Sequence, residues 1–202
     1  MPPVELLASP LRAPILERLR NQTRPQHAAI EANARFARLL APDLAPGEYR
    51  LILRRLAGFH AALEPLLACA LAEPAEPLAL ARRRKLPLLL ADLASLGAGE
   101  APIPRAPAPA ALSPPEAWGA LYVLEGATLG GRMILKHLQA SLGVSPQRGA
   151  SFYAGYGEET GAMWRAFRVS LAGACAAQPA WEDIVLSSAG ATFAAMDAWV
   201  GA

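Results

Sequence analysis

Thr23, His27 and Glu31 follow one another at intervals of four in the stretch Arg20-Asn21-Gln22-Thr23-Arg24-Pro25-Gln26-His27-Ala28-Ala29-Ile30-Glu31. On a helix that spacing puts all three on one face. A histidine that ligates a metal through Nε2 usually donates its Nδ1–H to a neighbouring acceptor, which fixes the tautomer. Glu31, one turn on, stands where that acceptor is needed. Arg20, about two turns back, stands where a ligand carboxylate would be met. Taken alone, a helical histidine is more often solvent-facing or a satisfied core residue than a metal ligand.

The second pattern is Gly119-Ala120-Leu121-Tyr122-Val123-Leu124-Glu125-Gly126-Ala127-Thr128-Leu129-Gly130-Gly131-Arg132. Gly119, Gly126 and Gly130 lie seven and four apart and so line one helix face. An interior glycine costs a helix about 1 kcal/mol relative to alanine, so Gly126, Gly130 and Gly131 together cost roughly 2–3 kcal/mol. Either another helix packs closely on this stripe, or a flat ligand comes up against bare backbone. Spacing alone favours the packed helix. A third pattern, Trp164-Arg165-Ala166-Phe167-Arg168, sets two arginines three apart. Such a pair can clamp carboxylates bidentately, although arginines reaching out from an amphipathic helix are the commoner case.

Other chemistry finds little support. There is no P-loop, no GxGxxG after a strand, no HExxH, no GxSxG and no Cys/His set with zinc spacing. His60 and His137 stand alone on separate segments and read as structural. Cys69 and Cys175 have no CxxC partner and fall in apolar stretches, which predicts two buried thiols in a reducing compartment.

These residues need helices to hold them. Alanine supplies much of the 53% hydrophobic content, and nothing alternates long enough to be a strand, so an all-α single domain is expected over the 202 residues. Residues 1–13 read as a loose arm. A helix from about Pro14 to Phe36 should be kinked by Pro25, with Thr23 capping the restarted part. Pro46-Gly47 opens a second helix whose stripe is Ile52, Leu56, Phe59, Leu63 and Leu66. Short helices follow at Leu78–Lys85 and at Leu88–Leu96, the latter ended by Gly97. A Pro-rich surface connection spans Ala98 to Pro115. Then come a glycine-interrupted helix from Glu116 to Leu142, an aromatic segment at Phe152–Gly157, and helices at Glu158–Ala177 and Trp181–Val200.

A net charge of +2 gives no reason to expect a nucleic-acid partner. The one dense basic run, Arg82-Arg83-Arg84-Lys85, reads first as a solvated helix end and second as a docking patch. The N-terminus lacks a basic region followed by a long apolar run, and apolar runs are short elsewhere. A cytoplasmic chain with no membrane partner is the expectation.

Leu19-Arg20-x-x-Thr23-x-x-x-His27-x-x-x-Glu31 and Leu121-Tyr122-Val123-Leu124-Glu125-Gly126-Ala127-Thr128-Leu129-Gly130-Gly131 together resemble the haem oxygenase family, most closely its bacterial branch associated with bacteriophytochromes. Pro87-x-Leu89-x-x-Asp92-Leu93-x-x-Leu96-Gly97, Tyr156-Gly157-x-x-Thr160-Gly161-x-x-Trp164-Arg165-x-Phe167 and Ala191-Thr192-Phe193 extend the resemblance over nearly the whole chain. It implies a helical bundle in which haem lies between a proximal helix bearing His27, the iron ligand, and a distal helix walled by Gly126, Gly130 and Gly131. It places Arg20 and Arg165 at the haem propionates, Tyr122 near the distal side and Glu31 behind His27. The implied reaction takes O2 and electrons, from a donor such as ferredoxin with its reductase, and gives biliverdin, CO and iron. A bacteriophytochrome is the implied acceptor of biliverdin.

A glycine-walled distal side fits such a reaction, because backbone rather than an acid or base meets the open iron face. Many members carry an aspartate after the first distal glycine; here that position is Ala127, a small residue as in the phytochrome-linked branch. The competing readings are a non-catalytic haem-binding or haem-sensing protein of the same fold, and a helical protein binding another small molecule with His27 incidental.

Overall fold

The structure is a computed structural model that describes residues 13–72, 78–99 and 102–202. The expected loose arm lies, but for residue 13, outside the described residues. Nine α-helices occur among the described residues. They are α1 (Pro14–Gln22), α2 (Arg24–Ala32), α3 (Ala34–Arg38), α4 (Pro46–Ala70), α5 (Leu86–Ser95), α6 (Pro114–Leu142), α7 (Ser151–Ala154), α8 (Thr160–Ala177) and α9 (Glu182–Gly201). Short 3-10 turns sit at Leu80–Arg83, Gly157–Glu159 and Pro179–Trp181. No β-strand is present among the described residues, only isolated bridges from Ser145 to Arg148 and Gly149. The fold is all-α, as composition required.

The first helical stretch breaks twice. Pro25, in the first turn of α2, accounts for the break at Thr23, as expected. Thr23 holds the N-cap position of α2 as expected but does not cap it with its side chain: its buried hydroxyl turns back to donate to the Leu19 carbonyl at 2.7 Å. The second break is at Asn33, whose side-chain oxygen accepts from the Arg35 and Phe36 amides and starts α3. Its amide nitrogen also donates to Asp197, at 2.7 Å to the carboxylate, and so ties this corner to α9.

In α4 the side chains of Ile52, Leu56, Phe59 and Leu63 are buried, but Leu67 rather than Leu66 completes the stripe beyond Pro65. Cys69, near the end of this helix, is exposed; only Cys175 is a buried thiol. The glycines do not interrupt α6, which runs unbroken for 29 residues from a start where Glu116 accepts from the Ser113 N–H and hydroxyl. The Leu78–Lys85 helix is only a 3-10 turn, and its basic run is not a solvated end. Arg83 and Lys85 are 4% and 3% exposed, while Arg82 and Arg84 face out.

α6 and α9 pack against each other at the centre, with α1, α2 and α4 also laid on α9. Gly119 makes the central pairing possible. A Cβ there would run into the Val185 carbonyl and the backbone of Ala189, so only glycine lets the two helices come this close. Pro179–Gly201 is long and apolar enough to cross a membrane, but Val185, Ala189, Phe193, Met196 and Val200 all point into this core.

Candidate functional site

The side chains of Tyr122 on α6 and Thr23, at the α1–α2 junction, lie near one another. This is where the segment carrying His27 meets the segment carrying the glycines. Burial pushes the Tyr122 hydroxyl up from its ordinary pKa, against the Thr23 side chain and the positive charges of Arg168 and Arg20. The two charges that reach Tyr122 come from different elements, one from α1 and one from α8. The Tyr122 ring also rests on Trp164, with centroids 5.7 Å apart, and Trp164 in turn stacks on Phe167 at 5.5 Å.

One turn beyond Thr23 stands His27, and one and two turns beyond Tyr122 stand Gly126 and Gly130. Past Thr23, α2 leans on α9 rather than on α6. The His27 ring meets the edge of Phe193 at 6.1 Å between centroids, and its Nδ1 lies 3.5 Å from Glu31 Oε1. The histidine side chain is 61% exposed, so its ring is available to a ligand on the open side. Opposite, a Cβ on Gly130 would meet nothing within 4 Å, and one on Gly126 only the Trp164 ring at 3.9 Å. Gly131 is different. It faces α7, where the Tyr153 carbonyl would be 2.6 Å from an added Cβ. The stripe thus has two functions: Gly119 and Gly131 admit neighbouring backbone, while Gly126 and Gly130 leave a bare wall.

The sequence candidates fall into this frame as follows. Arg20 lies on α1, His27 and Glu31 on α2, and Tyr122, Gly126 and Gly130 on α6. Ala127 is exposed on the same stretch, and the neighbouring Thr128 hydroxyl donates to the Glu125 carbonyl at 2.6 Å. Arg165 is exposed on α8, and Arg168, one turn on, is the α8 arginine whose charge acts on Tyr122. Two cavities of about 520 and 500 Å³ lie along α9; the first includes Thr23, and neither includes His27, Tyr122 or the glycines of α6. His60 and His137 are structural: His60 Nδ1 pairs with buried Glu64 at 3.0 Å, and His137 Nε2 with the Ala41 carbonyl at 3.0 Å.

Behind α6 lies a buried ionic cluster that sequence reasoning missed. Glu125 accepts from Arg83 and, at 2.6 Å, from the Tyr156 hydroxyl. The Lys85 ammonium sits 3.3 Å from the centre of the Tyr156 ring. A faint signal was available: Glu125 falls in an otherwise apolar turn, which asks for a buried cation.

No group of three or more His, Cys, Asp or Glu that could hold a bare metal ion exists among the described residues. His27 alone could hold only an ion that brings its other ligands with it. A planar macrocycle does this, and an exposed imidazole with a stretch of bare backbone is a donor set that suits one.

Comparison with known proteins agrees. The family model described as heme oxygenase matches residues 13–202. A heme oxygenase of Xanthomonas campestris pv. campestris (strain 8004) is 35% identical over 130 residues, 61% of this chain and 71% of that one. Among solved structures, the NO- and CO-bound heme oxygenase of Neisseria meningitidis has a TM-score of 0.75 at 24% identity, over 92% of this chain and 89% of that one. Heme oxygenase of Leptospira interrogans has a TM-score of 0.77 at 17% identity, over 93% and 98%. Heme oxygenase-1 of Synechocystis sp. PCC6803, in complex with heme, has 0.75 at 17%, over 92% and 90%.

Proposed function

Because the chain belongs to the haem oxygenase family and is a haem-degrading oxidoreductase, we propose that its substrate sits in the slot between α2 and α6, with His27 as the iron ligand. The observation that carries this reading is the pairing of an exposed His27 imidazole on α2 with the bare backbone of Gly126 and Gly130 on α6. Thr23 and Tyr122, one turn before each, lie near one another.

Each residue then has a task. Glu31 and Phe193 hold the His27 ring, the first by its carboxylate near Nδ1 and the second by its edge. Gly126 and Gly130 let the substrate's flat face approach the α6 backbone. Arg20 and Arg168, with Arg165 further out on α8, meet its two carboxylates, and Tyr122 sits between them. Ala127 offers no acid, and the Thr128 hydroxyl is engaged with a carbonyl, so protons arrive through water rather than from a side chain of this turn. Bound haem supplies the reactive chemistry: with O2 and electrons its ring opens to biliverdin, CO and ferrous iron.

The electron donor belongs to this reading as a small acidic carrier of the ferredoxin type with its reductase. The run at Arg82–Lys85 offers it less than the sequence suggested, since Arg83 and Lys85 are buried and Arg82 pairs with Glu159 at 2.5 Å. Delivery of biliverdin to a bacteriophytochrome follows from the motif resemblance.

The test is a haemin titration of the apoprotein followed by ferredoxin with its reductase, or ascorbate, in air. A Soret band that decays into the broad red absorption of biliverdin is expected. In His27→Ala the native ferric spectrum and turnover should be lost and partly restored by added imidazole. An unchanged spectrum in that variant overturns the ligand assignment, and a stable Soret band under reductant and O2 leaves a haem binder without turnover.

A further inference from the structure

Gly126 and Gly130 meet almost nothing on the slot side, so packing there cannot fix how far the α6 backbone stands from a ligand. Its position must be set from behind. The side chain immediately before Gly126 is Glu125, fully buried, and it is held by Arg83 and the Tyr156 hydroxyl. Arg83 makes two further contacts, donating through Nε to the Leu78 carbonyl at 2.6 Å and through Nη2 to the Met163 carbonyl at 3.2 Å. Met163 directly precedes Trp164, the one residue that reaches the Gly126 face. A single buried guanidinium therefore fastens both the distal backbone, through Glu125, and the aromatic side of the slot, through Met163.

Stability alone does not explain such a cluster. A buried ion pair pays a desolvation penalty that its attraction only about cancels, and apolar residues of similar volume often serve as well or better. What a forked, charged contact adds is a fixed geometry. We propose that Arg83 and Glu125 are positioning residues for the haem reaction, setting the distance and tilt of the Gly126–Gly130 backbone over the substrate and so the meso carbon at which the ring opens. This rests on the reading that Gly126 and Gly130 wall the haem slot.

The test uses three forms of the full chain: wild type, Glu125→Gln, and the double variant Arg83→Met/Glu125→Met, which keeps the volume and leaves no unpaired charge. Far-UV circular dichroism and a thermal melt report the fold of each apoprotein. Haemin titration, the Fe–C and C–O stretching frequencies of the ferrous CO complex, and the ratio of biliverdin isomers report the slot. We expect folded variants whose CO frequencies shift and whose isomer ratio changes at least threefold, with haemin Kd moving less than that ratio. A folded double variant with wild-type CO frequencies and isomer ratio overturns the positioning role. If the double variant fails to fold, Glu125→Gln decides by the same two readouts. A wild type that gives no Soret band overturns the slot itself, and the positioning role with it.

Discussion

Thr23 and Tyr122, which sequence separates by nearly half the chain, lie with their side chains near one another. They meet where the break at Pro25 turns α2 toward α9, one turn before His27 and Gly126 respectively. Tyr122→Phe removes the hydroxyl while keeping the ring on Trp164. Losing this part-buried hydroxyl should cost up to about 1 kcal/mol, seen as a Tm lower by up to roughly 2–4 °C. If the proposed site holds, haemin affinity should fall severalfold, because Tyr122 and the two arginines whose charge reaches it are there assigned to the substrate carboxylates. Thr23→Val should give a similar loss, and the two together less than the sum. Additive effects would show that the pair is not a unit.

The glycines of α6 give a sharper contrast. Gly130 has open space where a Cβ would be, so Gly130→Ala should stabilise the apoprotein by up to about 1 kcal/mol through helix propensity. Gly130→Leu should fold too, yet weaken haemin binding at least tenfold by filling the wall. Gly119→Ala should do the opposite: lose several °C in Tm, since its Cβ meets α9 backbone. Urea unfolding and haemin titration on the three variants check this. A Gly130→Leu protein that binds haemin like wild type would show that the wall faces nothing.

That contrast marks where sequence stops being readable. The periodicity of Ile52, Leu56, Phe59 and Leu63, the break at Pro25 and the helix end at Gly97 are local signals, and all three appear in the fold. Gly119 and Gly130 look alike in one dimension, because what separates them is whether Val185 or open space lies opposite. Arg83 and Lys85 were unreadable for the same reason. Their partners, Glu125 and Tyr156, come from 42 and 71 residues further along the chain, and a basic run carries no sign of which of its members will be enclosed. Asn33 stops a helix through side-chain bonds that any asparagine can make, and only its link to Asp197 makes it do so here.

Asp92 holds the other side of α6. Its buried carboxylate accepts from the Ser151 amide and hydroxyl and from the Phe152 amide, each at 2.8 Å, and so fastens the start of α7. That helix carries the Tyr153 carbonyl that packs on Gly131. Asp92→Ala strands two part-buried N–H groups and should cost about 2 kcal/mol or more in urea unfolding. Asp92→Asn keeps the shape and one acceptor oxygen and should cost about half as much. Equal losses would mean that packing, not hydrogen bonding, sets the role of Asp92.

Lys85 makes stability depend on alkaline pH in a direction that can be worked out. Burial pushes its ammonium down to about 8 from an ordinary 10.5, against the attraction of Glu125. Between those values the unfolded chain binds the proton and the folded chain does not, so unfolding takes up a proton and stability rises with pH. The penalty of burying the charge is fully present below about pH 8 and gone above about pH 10.5, roughly 3 kcal/mol in all. Tyr49, Tyr153 and Tyr156 act in the opposite sense: burial pushes each hydroxyl up, so they oppose alkaline stability once free tyrosine ionises near pH 10. The two effects together put a maximum between pH 9 and 10. Urea unfolding at half-unit steps from pH 7 to 10 should show wild type gaining stability up to that maximum. Lys85→Met should be more stable than wild type at pH 7, flat to about pH 9 and falling beyond it as the tyrosines act alone. A flat wild-type profile, or the same rise in Lys85→Met, would mean that the ammonium reaches water and that its seat over Tyr156 is not closed.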